Sequence, residues 1–362
     1  MNSTRESRPV RPPVHLADLT REERREFVVG LGLPAFRADQ LSRHWFGRLS
    51  DDPAQWTDLA AGDRELLADK LLPTLLREQT SVACDDGATR KTVWELAGGA
   101  RVESVLMLYP TRVTVCVSTQ AGCGMGCLFC ATGQAGLTRN LSAGEIVEQV
   151  LAPARSLARG GVFDGGPVRV SNVVLMGMGE PLANYDATLR AVRTISAPNP
   201  DGLGISARSI TVSTVGLVPK IRQLASEGLP VTLAISLHAP TDELRNELVP
   251  INKRWPIRDL LAAADDYATA TGRRVSIEYA LIQGINDGAE QAGDLVRILA
   301  DRGFHVNLIP LNPTPGSEWV AATAQRQADF VAALSAGRVP VTVRDNRGRQ
   351  IGAACGQLAA AG

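Results

Sequence analysis

Histidine is scarce in this chain, with four in 362 residues, and aromatic side chains make up only 4%. Neither sign of charge is in excess, because 38 acidic and 38 basic residues cancel. That balance excludes a globally basic surface, so phosphate contacts would need a local positive patch. No uninterrupted apolar stretch is long enough to span a bilayer. The N-terminal MNSTRESRPVRPP has no apolar core of the kind a secretory signal carries. A cytoplasmic protein with no membrane partner is the expectation. Six cysteines do not make a secreted disulfide framework in a chain of this length. A hydrophobic fraction of 44% permits a substantial core, and the length suits one large domain plus a small one. The basic residues are nearly all arginine, which suits bidentate phosphate contacts, although genomic base composition produces the same bias.

Three of the cysteines fall within eight residues, C-G-M-G-C-L-F-C at 123–130. Short spacers let the thiolates of Cys123, Cys127 and Cys130 converge on one metal centre, and the glycines at 122, 124 and 126 let the backbone fold closely around it. A structural zinc site closes its fourth position with another Cys or His, usually nearby in sequence. The histidines stand at 15, 44, 238 and 305, none of them close. An iron–sulfur cluster with one open iron fits better, with a zinc knuckle or a chance spacing as the alternatives.

Taken in order, residues 1–16 are polar and Pro-rich and read as a disordered arm. Thr20 followed by Glu23 is a capping box that opens a helix which Gly30 should close, and further helices are expected over 35–49 and 63–71. Arg24, Arg25, Arg37, Arg43 and Arg48 on these helices either grip phosphates or form a solvated face balanced by Glu22, Glu23, Glu26 and Asp39. From 80 to 109 the pattern turns strand-like, and runs at 91–96 and 101–108 flank Gly98 and Gly99 as in a hairpin. Strand-like runs at 113–118, 172–176, 209–213, 231–237, 275–281, 305–311 and 339–343 then alternate with amphipathic helical stretches. Ser142 and Glu145 form another capping box, Pro256 sits at a helix start, and Pro153 must kink or end the helix that begins near Ala143. Such alternation implies a parallel sheet with helices outside it, without separating a barrel from an open sheet.

CxxxCxxC is the signature of radical S-adenosylmethionine (SAM) enzymes. CVSTQAGC at 116–123, MGMGEPL at 176–182 and AACGQL at 353–358 sharpen the match. From about residue 17 to 358 the chain resembles the dual-specificity 23S rRNA/tRNA adenine-C2 methyltransferases, the RlmN family. The resemblance implies an α/β fold. An incomplete (β/α)6 radical SAM barrel over 111–345 follows a helical RNA-docking domain at 17–78 and a β-hairpin linker at 79–110, and a C-terminal segment over 346–362 carries Cys355. Its site lies at the carboxyl ends of the strands.

The family pattern also implies roles for single residues. Cys123, Cys127 and Cys130 hold one 4Fe–4S cluster. Gly179 and Glu180 in the Gly-rich turn, together with Ser213, Ser236, Leu237, His238 and Asn312 at successive strand ends, hold SAM. Taken alone, each of these is more often a turn or capping residue. Cys355 carries a methyl group, although by itself it reads as a buried cysteine acting as a small hydrophobe. Many relatives have acidic residues just before AACGQL, where this chain has Gln350 and Gly352. Glu103, ordinarily a solvent-facing strand residue, stands thirteen residues before Cys116, as the family's catalytic glutamate does before its resolving cysteine. Cys84 has no assigned role.

The implied reaction uses two SAM per turnover. One methylates Cys355, and the second yields a 5′-deoxyadenosyl radical that takes hydrogen from the S-methyl group. The carbon radical adds to C2 of adenine, Glu103 or Cys116 accepts the C2 proton, and Cys116 attacks the Cys355 sulfur, leaving a disulfide. The product is 2-methyladenosine in 23S rRNA at the peptidyl-transferase region and in tRNA next to the anticodon. The expected partners are these RNAs and an electron donor such as flavodoxin or ferredoxin, with the enzyme a monomer. The alternatives are the sister methylation of adenine C8 and a non-catalytic iron–sulfur or zinc RNA-binding module.

Overall fold

The computed structural model describes residues 12–160, 168–314, 317–345 and 347–359. The expected arm over 1–16 lies mostly outside the described residues, and at its described end His15 and Leu16 are buried, so ordered chain begins before residue 17. Three helices come first: α1 (Arg21–Gly30), α2 (Phe36–Ser42) and α3 (Ala61–Leu71). Thr20 caps α1 through the expected box, its hydroxyl accepting from the Glu23 N–H while Glu23 accepts from the Thr20 N–H.

Strands β1 (Leu76–Cys84), β2 (Thr89–Leu96), β3 (Arg101–Tyr109) and β4 (Arg112–Cys116) follow as an antiparallel series. Next come β5 (Gln120–Gly122), α4 (Ala131–Gln134), β6 (Leu137–Asn140) and α5 (Ala143–Arg159). The rest alternates, with two helices between β9 and β10: β7 (Asn172–Leu175), α6 (Tyr185–Ser196), β8 (Ile210–Thr214), α7 (Val218–Ala225), β9 (Thr232–Ser236), α8 (Asp242–Leu248), α9 (Ile257–Thr271), β10 (Ser276–Leu281), α10 (Ala289–Leu299), β11 (His305–Pro310), α11 (Ala324–Ala336) and β12 (Val341–Val343).

Among the described residues one sheet runs β1-β2-β3-β4-β7-β8-β9-β10-β11-β12. From β4 to β12 every neighbour is parallel, giving six βα units and a closing strand. This is the incomplete barrel expected, with helices on its outside. The hairpin over 79–110, expected as a linker, is part of that sheet: β3 pairs with β4 from Tyr109↔Arg112 to Val105↔Cys116. Pro153 lies inside α5 without ending it.

The N-terminal helices share the barrel's core, with Leu16, Leu41 and Trp45 in one buried cluster with Val147 and Leu151 of α5. The Trp45 indole N–H donates to Glu148 at 3.2 Å, and the Arg155 guanidinium lies 4.0 Å from the centre of the Trp45 ring. Of the arginines considered as phosphate grips, Arg24 is buried and donates to the carbonyls of Leu16 and Asp201, so it faces no solvent. Arg25 pairs with Asp39, Arg37 with Asp63 and Arg43 with Asp58. Ion pairs this near the surface contribute little to stability. No helix among the described residues is long and apolar enough to cross a membrane.

Candidate active site

The carboxyl ends of the parallel strands converge on a cavity. Cys123, Cys127 and Cys130 line it from the loop between β5 and α4. That loop packs tightly: a Cβ on Gly133 would come within 2.9 Å of the Cys127 carbonyl oxygen. Burial pushes the Cys123 thiol up to about 11, and burial followed by the neighbouring sulfurs pushes Cys127 up as well. Two such thiols become thiolates together only around a cationic centre. Among the described residues no three His, Cys, Asp or Glu side chains converge as a single metal ion requires. An iron–sulfur cubane takes three protein thiolates, each on a separate iron, and leaves the fourth iron open, so a set of three cysteines on one cavity wall suits it.

Opposite the thiols stand the residues expected to hold SAM. Gly179 has φ of +100°, and a Cβ there would meet the Gln120 backbone nitrogen at 2.7 Å, so only glycine lets this turn lie against the neighbouring strand end. Glu180 lines the cavity, but its two carboxylate oxygens accept the N–H groups of Leu182 and Val215, each at 2.9 Å. It therefore shapes the turn, and burial raises its pKa to about 7. Ser213, Ser236, His238 and Asn312 also line this cavity. His238 holds a left-handed backbone with φ of +61°; its Nδ1 accepts the Ala280 N–H at 2.9 Å and its ring stands edge-on to Phe129. Burial lowers its pKa to about 3, keeping the ring neutral.

Leu237 lies between Ser236 and His238 in the chain. Its side chain is in the core and off the cavity wall, because alternation along the strand end turns it away from Ser236 and His238. Its carbonyl is held by Arg245, a buried residue that also reaches the carbonyls of Ser236 and Val215 and the amide oxygen of Asn252. Arg245 thereby brackets the ends of β8 and β9, a role the sequence pattern gave no sign of.

A second cavity adjoins the first, and Met176, Ile309, Cys355 and Leu358 line both. Cys116 and Cys355 share the wall of the second one. Cys116 is buried, which together with the nearby Cys355 sulfur pushes its pKa up to about 12. Cys355 lies deep in the molecule yet is exposed, and the surface it exposes is cavity wall. Its segment is docked by named bonds. Asn312 donates to the Cys355 carbonyl at 3.0 Å, the Ala131 N–H to the Gly356 carbonyl at 2.9 Å, and the Thr132 hydroxyl to the Leu358 carbonyl. Thus α4, which directly follows the third motif cysteine, also anchors the C-terminal segment.

Glu103 lines neither cavity. It is buried on the same face of β3 as Val105, which pairs with Cys116, so register places it one pleat further along that face. The Lys91 ammonium, which sequence reading missed, donates to Glu103 at 3.3 Å and to the Gly352 carbonyl at 3.4 Å. The other Glu103 oxygen has no hydrogen-bond partner. Arg344, at the end of β12, was also missed; it stands 3.7 Å from Glu278 and lines the wall with both cysteines.

Comparison with known proteins adds to this geometry. The family model of the Radical SAM superfamily matches residues 117–296. A probable dual-specificity RNA methyltransferase RlmN of Parafrankia sp. (strain EAN1pec) is 63% identical, over 97% of this chain and 92% of its own length. A protein of the same description from Thermobifida fusca (strain YX) is 62% identical, over 97% of this chain and 96% of its own. The crystal structure of a radical SAM methyltransferase from Sphaerobacter thermophilus superposes with a TM-score of 0.92 at 48% identity, covering 96% of this chain and 100% of that one.

Proposed function

Because the chain belongs to the RlmN family of dual-specificity radical SAM RNA methyltransferases, we propose that it converts adenosine to 2-methyladenosine in 23S rRNA and tRNA, with the methyl group carried on Cys355. The observation that carries this reading is the position of Cys355 on the wall common to two cavities, one lined by the three motif cysteines and the other by Cys116. A 4Fe–4S cluster held by Cys123, Cys127 and Cys130, with two SAM per turnover, would supply the methyl group and the one-electron chemistry that an electron-poor aromatic carbon demands.

The chain's own groups do the rest. The bonds from Asn312, Ala131 and Thr132 present the Cys355 sulfur to both compartments, so it can take up a methyl group on one side and hand it on beside Cys116. The target adenine must be unstacked to reach that point. Glu103, with one oxygen unpaired, and Cys116 are the two acceptors for the C2 proton. Cys116 then attacks the Cys355 sulfur: the new S–S bond forms, the bond from Cys355 sulfur to the product carbon breaks, and that carbon takes a proton to become the methyl group. The donor of electrons, a monomeric state and a cytoplasmic location belong to the same proposal.

Anaerobic reconstitution followed by mass spectrometry of digested RNA tests it. Cluster-dependent formation of 5′-deoxyadenosine together with 2-methyladenosine is expected. 8-Methyladenosine in its place would move the target to C8, and an iron-loaded protein that leaves SAM intact would make it a non-catalytic module.

A further inference from the structure

The reaction proposed above leaves Cys116 and Cys355 joined, and the second cavity bears on how they are parted. Its wall carries three guanidinium groups, from Arg112, Arg344 and Arg347; Arg344 stands 3.7 Å from Glu278 and Arg347 3.5 Å from Asp345, so Arg112 supplies the excess positive charge. Arg112 is exposed at the turn between β3 and β4, four residues before Cys116, a span of about 13 Å along an extended strand. It makes no ion pair or hydrogen bond among the described residues; its guanidinium lies 4.1 Å from the centre of the Tyr109 ring, and that of Arg347 lies 4.5 Å from the same centre. Between these cations and the sulfurs, the buried Thr114 hydroxyl lines the cavity with no hydrogen-bond partner among the described residues. The passage is thus cationic at its outer end and polar midway, and it ends on Cys355, the exposed sulfur, with Cys116 only 8% exposed behind it.

We propose that this cavity admits a small thiol bearing a carboxylate, which reduces the Cys116–Cys355 disulfide; the proposal rests on the two-thiol reading of the site. A dithiol protein presents its nucleophile on its own surface and would need the disulfide to protrude, whereas these sulfurs are recessed inside the barrel. The incoming thiolate attacks the Cys355 sulfur. The S–S bond breaks, and Cys116 leaves as a thiolate and takes a proton. A second molecule of the thiol attacks the mixed disulfide at its own sulfur, restoring Cys355 and releasing the small disulfide. Two thiols are oxidised and the two protein sulfurs are reduced. This route leaves the motif cysteines undisturbed, since Cys123, Cys127 and Cys130 line the first cavity and not the second.

The test starts from holoenzyme taken through one turnover with SAM and RNA in the absence of thiol, the disulfide being quantified by differential alkylation and peptide mass spectrometry. It is then exposed to 3-mercaptopropionate, 2-mercaptoethanol or 2-aminoethanethiol, and each rate is divided by that thiol's rate on a free small disulfide. The anionic thiol should exceed the cationic one by about tenfold at low salt, the lower end of steering by a charged cleft. Added salt and Arg112→Gln should both erode that ratio, while Arg112→Lys should keep it. A ratio near one in the wild type, or faster reduction by a thioredoxin-type protein than by any small thiol, would overturn the proposal alone. Absence of the Cys116–Cys355 disulfide after turnover would overturn the two-thiol reading and this proposal with it.

Discussion

Arg245 directs its whole guanidinium at the protein itself, tying three strand-end carbonyls and Asn252 together beneath the candidate SAM cavity. Arg245→Leu would leave those buried acceptors unpaired and should cost about 3–5 kcal/mol, read from denaturant unfolding; a loss under about 1 kcal/mol would show the strand ends are held by something else. The motif cysteines answer to a different measurement. Changing Cys123, Cys127 or Cys130 to Ala leaves two thiolates where a cubane needs three, so iron content and the charge-transfer absorbance should collapse, and wild-type values in any of the three would contradict the ligand set. Spacing singled out these three cysteines, and all three line one cavity. Strand alternation sends Leu237, the middle member of a three-residue run, into the core. Lys91 and Arg344 could not be read at all: the contact of one depends on hairpin register and that of the other on where β12 ends.

At the level of elements, periodicity revealed almost all of the barrel. Its seven parallel strands fall within a few residues of the expected runs, because buried parallel strands read as apolar runs bounded by turns. What periodicity does not carry is lateral pairing, and so the hairpin's place in the main sheet went unread. The attachment of the N-terminal region to α5 was equally hidden, since it combines a shared apolar core with polar contacts distant in sequence, such as Asp18 accepting the Gly144 N–H at 2.6 Å. His15 reports on that attachment. Buried edge-on to Trp45, with Nδ1 accepting the Ala17 N–H, it is held neutral by burial and then by Arg155 and Arg24, its pKa lowered to about 3. Above the unfolded value of 6.5 the ring is neutral in both states and adds no pH dependence. Below it the unfolded chain takes up a proton that the folded one refuses. Stability should therefore fall as pH drops from 6.5 towards 3, by at most about 1.4 kcal/mol per unit. His15→Gln should remove that component from the pH profile of unfolding, and an identical slope in the variant would mean that His15 titrates freely in the folded protein.

Over the whole molecule, the ten-stranded sheet and the C-terminal segment divide the barrel interior into two compartments with one sulfur between them. The segment runs from Arg344 past Lys91 and Glu103 to α4, so it touches the hairpin, the barrel and the motif loop in turn. Net charge balances over the chain, so a grip on a phosphate backbone needs a local excess of basic side chains. The two-sulfur division of labour is the central claim, and Cys116→Ala tests it most directly. Methyl uptake by Cys355 and attachment of its carbon to adenine do not need the Cys116 sulfur, whereas release does, since only a second thiolate can attack the Cys355 sulfur. Incubated with RNA and SAM under reducing anaerobic conditions, the variant should accumulate enzyme covalently joined to RNA, a slow band on a denaturing gel that ribonuclease collapses and that the Cys116→Ala, Cys355→Ala double variant lacks. Normal turnover by Cys116→Ala, with methylated RNA released and no such band, would contradict the account and leave Cys116 a packed core residue.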